Sequence, residues 1–273
     1  MDWSKTKTMF ILVFLVLDVY LLTQFCYKYS KSKLEFIPDY SLEQRLKADD
    51  INYDHLPQTK EKSQFISANT RSFTSKDIQN LTDQKVTIND SNNSTISSII
   101  KSPLALKGKM SGDSIERQLD PYVKTNLVDG NKYSFCNYDK NKKQIEYCEQ
   151  YNFKTIYNNM SGHIIFYLNN KNQVTSYDQT LLNDIKVLNE EQDVLPAIQA
   201  VEALHTNGML QPNSKVTEAE LGYYTMVQLT EVQVLVPTWH LVVEHNHKQQ
   251  NFFVNAFEGQ VFQADNNQNK ILE

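Results

Sequence analysis

Residues 9–27 read MFILVFLVLDVYLLTQFCY, nineteen residues with a single charge at Asp18. A helix of that length rises ~28 Å at 1.5 Å per residue, close to the ~30 Å hydrocarbon core of a bilayer. The flanks are abrupt. Lys5 and Lys7 precede the run, Lys28, Lys31 and Lys33 follow it, and Trp3, Tyr27 and Tyr29 stand where interfacial aromatics belong. A cleaved signal peptide is the rival reading. Its apolar core is shorter and ends in a small-x-small pattern. This run ends in Leu22-Thr23-Gln24-Phe25-Cys26, and Cys26 lacks the small residue before it that a lipoprotein signal needs. The segment therefore reads as an uncleaved transmembrane helix ahead of a body of about 245 residues.

Working outward, the lysines on the two sides nearly balance, and large domains cross membranes largely regardless of charge. The residues themselves leave the side of the body open. Asp18 has two readings. A carboxylate at mid-bilayer costs ~2.5–3.5 kcal/mol on the insertion scale and is by default a functional position. It either makes a polar contact with a partner helix, or its cost is outweighed by the surrounding Leu, Ile, Val and Phe.

The chain has 273 residues, a formal net charge of -5 and a pI near 5.7, which excludes nucleic-acid binding by bulk electrostatics. Only 7 glycines are present, well below the usual ~7% share, and this disfavours glycine-rich phosphate loops and dinucleotide folds. Abundant Tyr, Phe, Val, Ile and Thr favour strands.

The body divides by pattern into a tail (1–8), the transmembrane helix (9–27), a basic juxtamembrane connector (28–36) and two small α+β subdomains, 37–135 and 136–273. In the first, residues 41–48 suggest a short helix capped by Ser41, 63–73 a strand, 75–81 a second short helix, and 85–88 and 96–100 strands around a polar turn at 89–94. Asp113 or Ser114 caps a helix through Leu119, which Pro121 should end. Residues 133–138 and 144–151 alternate around the turn 139–143 and predict a hairpin. Centred on Lys142, that hairpin places Cys136 opposite Cys148, either as a disulfide or as two half-buried thiols.

Further on, 163–168 and 173–177 read as a second hairpin. The best helix of the body has Pro196 in its first turn, Val194, Ile198, Val201 and His205 on one face, and Asn207-Gly208 at its end. Strands 221–229, 238–244 and 251–257 follow, then a Glu258-Gly259 turn and a short strand at 260–263. The expected class is α+β, with helices packed on antiparallel sheets.

Catalytic signatures are absent: there is no Gly-x-Ser-x-Gly, His-Glu-x-x-His, Walker loop or Cys-x-x-Cys. His240, Glu244, His245 and His247 are close in sequence, but alternation sends the first two and the last two to opposite strand faces, so a metal site is not expected. Trp239, Phe252, Phe253, Phe257 and Phe262 read as core before groove. With no isolated carboxylate pair and no cofactor motif, a binding or regulatory body is favoured over an enzyme.

MDWSKTKT (1–8), running straight into the apolar helix, resembles the start of YycI proteins, of the YycH/YycI group found beside the WalK/WalR (YycG/YycF) two-component system of low-GC Gram-positive bacteria. Residues 42–53 (LEQRLKADDINY), 163–179 (HIIFYLNNKNQVTSYDQ) and 233–262, with Val-Pro-Thr-Trp and Asn-Ala-Phe-Glu-Gly, are similar to the same family. The last stretch also resembles the closing strands of PepSY-like modules, with Asn255 where those have Asp.

The resemblance implies a single-pass cell-membrane protein with a cytoplasmic N-terminus and an extracytoplasmic body. It also implies association with YycH and the sensor kinase WalK, partly through transmembrane helices, and control of cell-wall genes, with no catalytic residues or cofactor to carry over. The sign of the effect on the kinase differs between bacteria, and a homodimer stays open. Asp18 lies in the helix that the resemblance implicates. Two other classes remain: a PepSY-like ligand-binding or protease-inhibitory module, and a membrane-anchored wall hydrolase, which the missing catalytic constellation disfavours.

Overall fold

In the computed structural model the apolar run forms one helix, α1 (Trp3–Ser32). The structure describes residues 3–32, 42–54, 56–57, 60–89, 92–227 and 232–262. The helix is longer than the expected 9–27 at both ends, running into the 1–8 tail and the 28–36 connector. Lys and Gln are good helix formers, so nothing in the local backbone ends the helix where hydropathy falls. The membrane-compatible window is Lys7–Cys26, 20 residues at mean hydropathy 2.2, with none of it buried against the rest of the chain.

In chain order the body then forms α2 (Leu42–Ala48), β1 (Asn52–Tyr53), β2 (Lys62–Ser63), β3 (Ile66–Thr70), α3 (Ser75–Ile78), β4 (Gln84–Asn89), β5 (Thr95–Ala105) and α4 (Gly112–Asn126). A 3₁₀ turn at Gly130–Lys132 leads to β6 (Tyr133–Asp139), β7 (Gln144–Tyr151), β8 (Lys154–Tyr157), β9 (His163–Leu168), β10 (Gln173–Gln179), β11 (Leu182–Val187) and β12 (Gln192–Asp193). The chain closes with α5 (Ala197–Thr206), β13 (Lys215–Val227), β14 (Val232–His245), β15 (Lys248–Asn255) and β16 (Val261–Phe262). The body is α+β, and its large sheet is mostly antiparallel.

The first lobe is the antiparallel series β4-β5-β10-β9-β7-β6. Alternation decides its faces: in β9, Ile164, Phe166 and Leu168 point inward while His163, Ile165 and Tyr167 point outward. Helix α4 lays Ile115, Leu119 and Val123 on the inward face, where Tyr147 meets Phe135 and Phe166 edge-on at 5.9 and 5.7 Å. Pro121 does not end this helix, which begins at Gly112 and continues to Asn126. A proline inside a helix costs about 3 kcal/mol. The turn beyond it buries Val123 and leads into buried Leu127 and Val128, and each such side chain returns ~1.5–3 kcal/mol.

The second lobe is β15-β14-β13, with β16 beside β15, β3 and β11 beyond β14, and β1 on the far edge of β13. Helices α5 and α2 cover one face. Ala197, Ala200, Val201 and Leu204 pack with Leu46, Trp239, Leu241 and Val254, and Arg45 is paired with Glu202. The buried face of α5 is thus rotated from the expected Val194–Ile198–Val201–His205 line. Pro196 precedes the helix and His205 bonds Asp49 at 2.7 Å. Gly208 follows the helix at φ +67, as a C-terminal glycine should.

Strand β8 joins the lobes, antiparallel to β7 (Gln150↔Thr155) and parallel to β13 (Ile156↔Tyr223). The cores do not divide at residues 135/136. One hydrophobic cluster draws on Phe73 to Leu181, a second combines Leu46 and Ile51 with Val194 to Ala256, and a third, smaller one joins Ile66, Ala68, Ile156, Leu182, Tyr223 and Leu235. The expected Ser41 cap, and residues 90–91, 228–229 and 263 of the expected turn and strands, lie outside the described residues.

Candidate functional site

Two parts of the molecule carry features that packing alone does not account for: α1 and the junction between the lobes. On α1, helical spacing puts Phe14, Leu22 and Phe25 on the same stripe as Asp18. Phe14, Leu22 and Phe25 are 59%, 61% and 65% exposed, so the stripe is not covered by the body. Thr23 turns its hydroxyl back onto the Tyr20 carbonyl at 2.7 Å, a bond that hides a polar group within the helix. Asp18 has two side-chain carbons fewer than a lysine, so its carboxylate reaches less far toward the headgroups than a lysine ammonium would. At the other end of the span Lys7 sits over the Trp3 ring, 5.3 Å from its centroid.

At the lobe junction a buried polar network ties β3, β13 and β14 to the turn after β8. The Asn159 amide donates to Thr225 Oγ1 at 2.7 Å and to Gln233 Oε1 at 2.6 Å. The Gln233 amide in turn donates to Ser161 Oγ at 2.8 Å, which also accepts from Thr70 Oγ1 at 2.9 Å. Beside this network Glu149 is 1% exposed and accepts the Leu182 N–H at 2.8 Å. Burial pushes its carboxyl up to about 8, against the smaller pull of that N–H and of Lys132 and Arg71. Tyr133 donates to the Thr180 carbonyl, and the Gln179 amide to the Val128 carbonyl at 2.5 Å. Burial also pushes His163 down to about 4, so its ring is neutral. These groups are enclosed and bonded to one another across several strands, which ties the two lobes into a joint. Apart from His163, which reads from the sequence as packed beside the core, none of them stands out there, because isolated Asn, Gln and Thr give no periodic pattern.

The two cysteines are joined: Cys136 and Cys148 form a disulfide with Cα atoms 5.7 Å apart. They are not directly opposite. Cys148 faces Ser134, and a register shift between Phe135 and Asn137 puts Cys136 at a bulge. The turn is an Asx turn in which Asp139 Oδ1 accepts the N–H groups of Asn141 and Lys142 at 2.8 and 2.9 Å.

His240 and His245 separate on β14 as alternation requires, but His247 does not share a strand face with His245: it lies in the turn after β14, at φ +61, on the Glu244 side. His240 stacks on Phe253 at 5.0 Å and holds Asn251 at 2.9 Å, and burial lowers its pKa. His245 contacts Ser214 and Asn246, while His247 lies 3.6 Å from Glu244. Among the described residues no three His, Cys, Asp or Glu groups converge on a metal-sized position.

The five late aromatics split between two faces. Trp239 is buried beneath α5 and donates to the Leu195 carbonyl at 2.8 Å, with Phe252 and Phe257 against the same core. Phe253 and Phe262 pack on Tyr224 on the opposite face, at 5.1 and 4.7 Å. At the rim of that second layer lies a depression of about 630 Å³ lined by Asn158, Tyr224, Met226 and Phe262 among others. The Asn255 turn works as its Asp counterpart would, its Oδ1 accepting the N–H groups of Phe257 and Glu258 at 2.8 and 3.2 Å.

Comparison with known proteins gives one strong match: the family model described as "YycI protein" matches residues 31–257. No functionally curated protein matches the sequence. Among solved structures, an uncharacterized protein from Eubacterium rectale is similar at 10% identity and a TM-score of 0.44, over 79% of this chain and 91% of that one. The YpeB C-terminal domain of Bacillus megaterium is similar at 14% identity and a TM-score of 0.40, over 76% of this chain and 85% of that one.

Proposed function

This chain belongs to the YycI family, and from that membership we propose that it is a membrane-anchored regulator of the sensor kinase WalK. In this reading α1 crosses the cell membrane once with its N-terminus inside, and the body, with a PepSY-like C-terminal part, lies outside. The protein associates with a YycH-like partner and with WalK and biases the kinase's output, which governs cell-wall genes. It acts by contact and not by catalysis.

The observation that carries the reading is the pairing of the family match with α1, a 20-residue span uncovered by its own body and interrupted by Asp18. The anchor packs beside the kinase helices, where a small shift of one helix moves a two-state signalling element. The body adds a second contact that raises the effective concentration of the first. Co-purification of the kinase with the full-length protein, compared with a protein whose α1 is replaced by an unrelated span, tests this. The replaced form should lose most of the kinase.

A further inference from the structure

The β7–β8 connection is a two-residue hairpin loop, with Tyr151 paired to Lys154 and only Asn152 and Phe153 between them. Both loop residues are left-handed, at φ +49 and +62, the signature of a type I′ turn. Asn suits the first position, and glycine is the default at the second. Here the second position holds phenylalanine, a bulky residue for which positive φ is a genuine outlier. Its ring gains nothing inside the molecule in return, because Phe153 is 97% exposed. A left-handed backbone and an unburied aromatic ring coincide at this one position, and an outlier of that kind points to a role outside the chain's own packing.

The fold indicates where. Strand β8 runs parallel to β13 and pairs at Tyr223–Tyr224, on the edge of β13 that also carries β1 at Lys215–Val216. The 152–153 loop precedes β8 and therefore lies on the β1 side of that pairing. Strand β1 follows α2 after only three residues, and nine residues separate Ser32 at the end of α1 from Leu42. Nine residues span at most ~30 Å, so the start of α2 stays within that reach of the end of α1, and β1 follows it on the same side of the β8–β13 pairing as this loop. Polar groups flank the ring as they do in the interfacial layer. Asn152 precedes it, and Lys154, whose Nζ reaches the Lys62 carbonyl at 3.3 Å, follows it.

We propose that the Asn152–Phe153 loop is a second membrane contact, seating the Phe153 ring in the interfacial layer of the bilayer that α1 crosses. This rests on the reading of α1 as a membrane span. Two points of attachment, the helix and the loop, set the tilt of the body over the membrane and hence the face it turns to a partner. The contact is apolar, so zwitterionic lipid is enough for it.

The test uses the full chain in phosphatidylcholine nanodiscs, with Phe153→Trp compared with Ile99→Trp, a position 60% exposed on the outer sheet face. With brominated acyl chains, the fluorescence added at 153 should fall by about half, as for a ring seated at the headgroup–acyl boundary, and that added at 99 should not change. Equal, negligible quenching at both positions in protein that has entered the discs would overturn the proposal. Failure to enter the discs would instead overturn the span itself.

Discussion

The two lobes hold similar cores by different routes. The first is drawn from one continuous stretch, Phe73 to Leu181, in which most neighbouring strands are hairpin partners and a disulfide closes one hairpin. The second is assembled from the two flanks of that stretch: Arg45 of α2 meets Glu202 of α5 across 157 residues, and Asn52 pairs with Lys215. A lobe made of local contacts forms with little loop-closure entropy. A lobe made from distant segments must wait for the intervening lobe to bring its ends together. The segment that leads from the membrane anchor thus belongs to the lobe that closes the fold, so a force on the anchor acts on long-range contacts and not on a detachable arm.

The sharpest way to break this comparison is to damage one lobe and look for the other. Trp239→Ala removes the largest fully buried side chain and leaves the Leu195 carbonyl without its donor. The expected cost is about 3–5 kcal/mol, measured by chemical denaturation of the full chain in detergent. Because β8 and the Asn159–Thr225–Gln233 network join the lobes, the loss should appear as one shifted transition. Two separated transitions would mean that the lobes fold independently.

Next in size is the crosslink. Cys136 and Cys148 are 12 residues apart, and closing a loop of that size stabilises by about 3 kcal/mol. Paired Cys136→Ala and Cys148→Ala substitutions should lower stability by that order and add no further loss on reduction. A mass unchanged by reduction and alkylation of the parent protein would show that the two thiols are free.

A smaller effect should come from Glu149, at the joint itself. Folded, its carboxyl holds its proton up to about 8, whereas the ordinary value is 4.5. Between those two values the native state carries a proton that the unfolded chain has released, so the group's contribution to stability is full below about 4.5 and is lost as pH rises through about 8. Glu149→Gln keeps an acceptor for the Leu182 N–H and removes this titration. Its stability relative to the parent should therefore rise from pH 5 to pH 8. A pH-independent difference would mean that the carboxyl is solvated.

The same comparison explains what could be read in advance. The hairpins 133–151 and 163–179 are written locally, as alternating faces around Asp139 and Asn169, and the helix at 197–206 is marked by Pro196 and Gly208. The membrane helix was plainer still, since hydropathy needs no partner. Strand β11 is not legible in the sequence because its pattern breaks at Asp184, which sits at φ +49 within a register shift. The grouping of the cores is not legible in the sequence because it depends on contacts between positions near 46 and near 200. In the junction network, Asn159, Thr225 and Gln233 look like surface residues until the fold brings them within hydrogen-bond reach. Glu149 was hidden for the same reason, one carboxylate in a strand of alternating residues.

The central claim is that the anchor is a signalling contact as well as a tether. The measurement that tests it most directly is recovery of the sensor kinase from membranes with three forms of the full chain: the parent, one whose α1 is replaced by an unrelated transmembrane helix, and Asp18→Leu. The account predicts that replacing α1 removes most of the kinase, that Asp18→Leu weakens recovery, and that α1 fused to an unrelated outer domain retains it. Kinase recovered equally with every body-containing form, and not at all with the fusion, would contradict it.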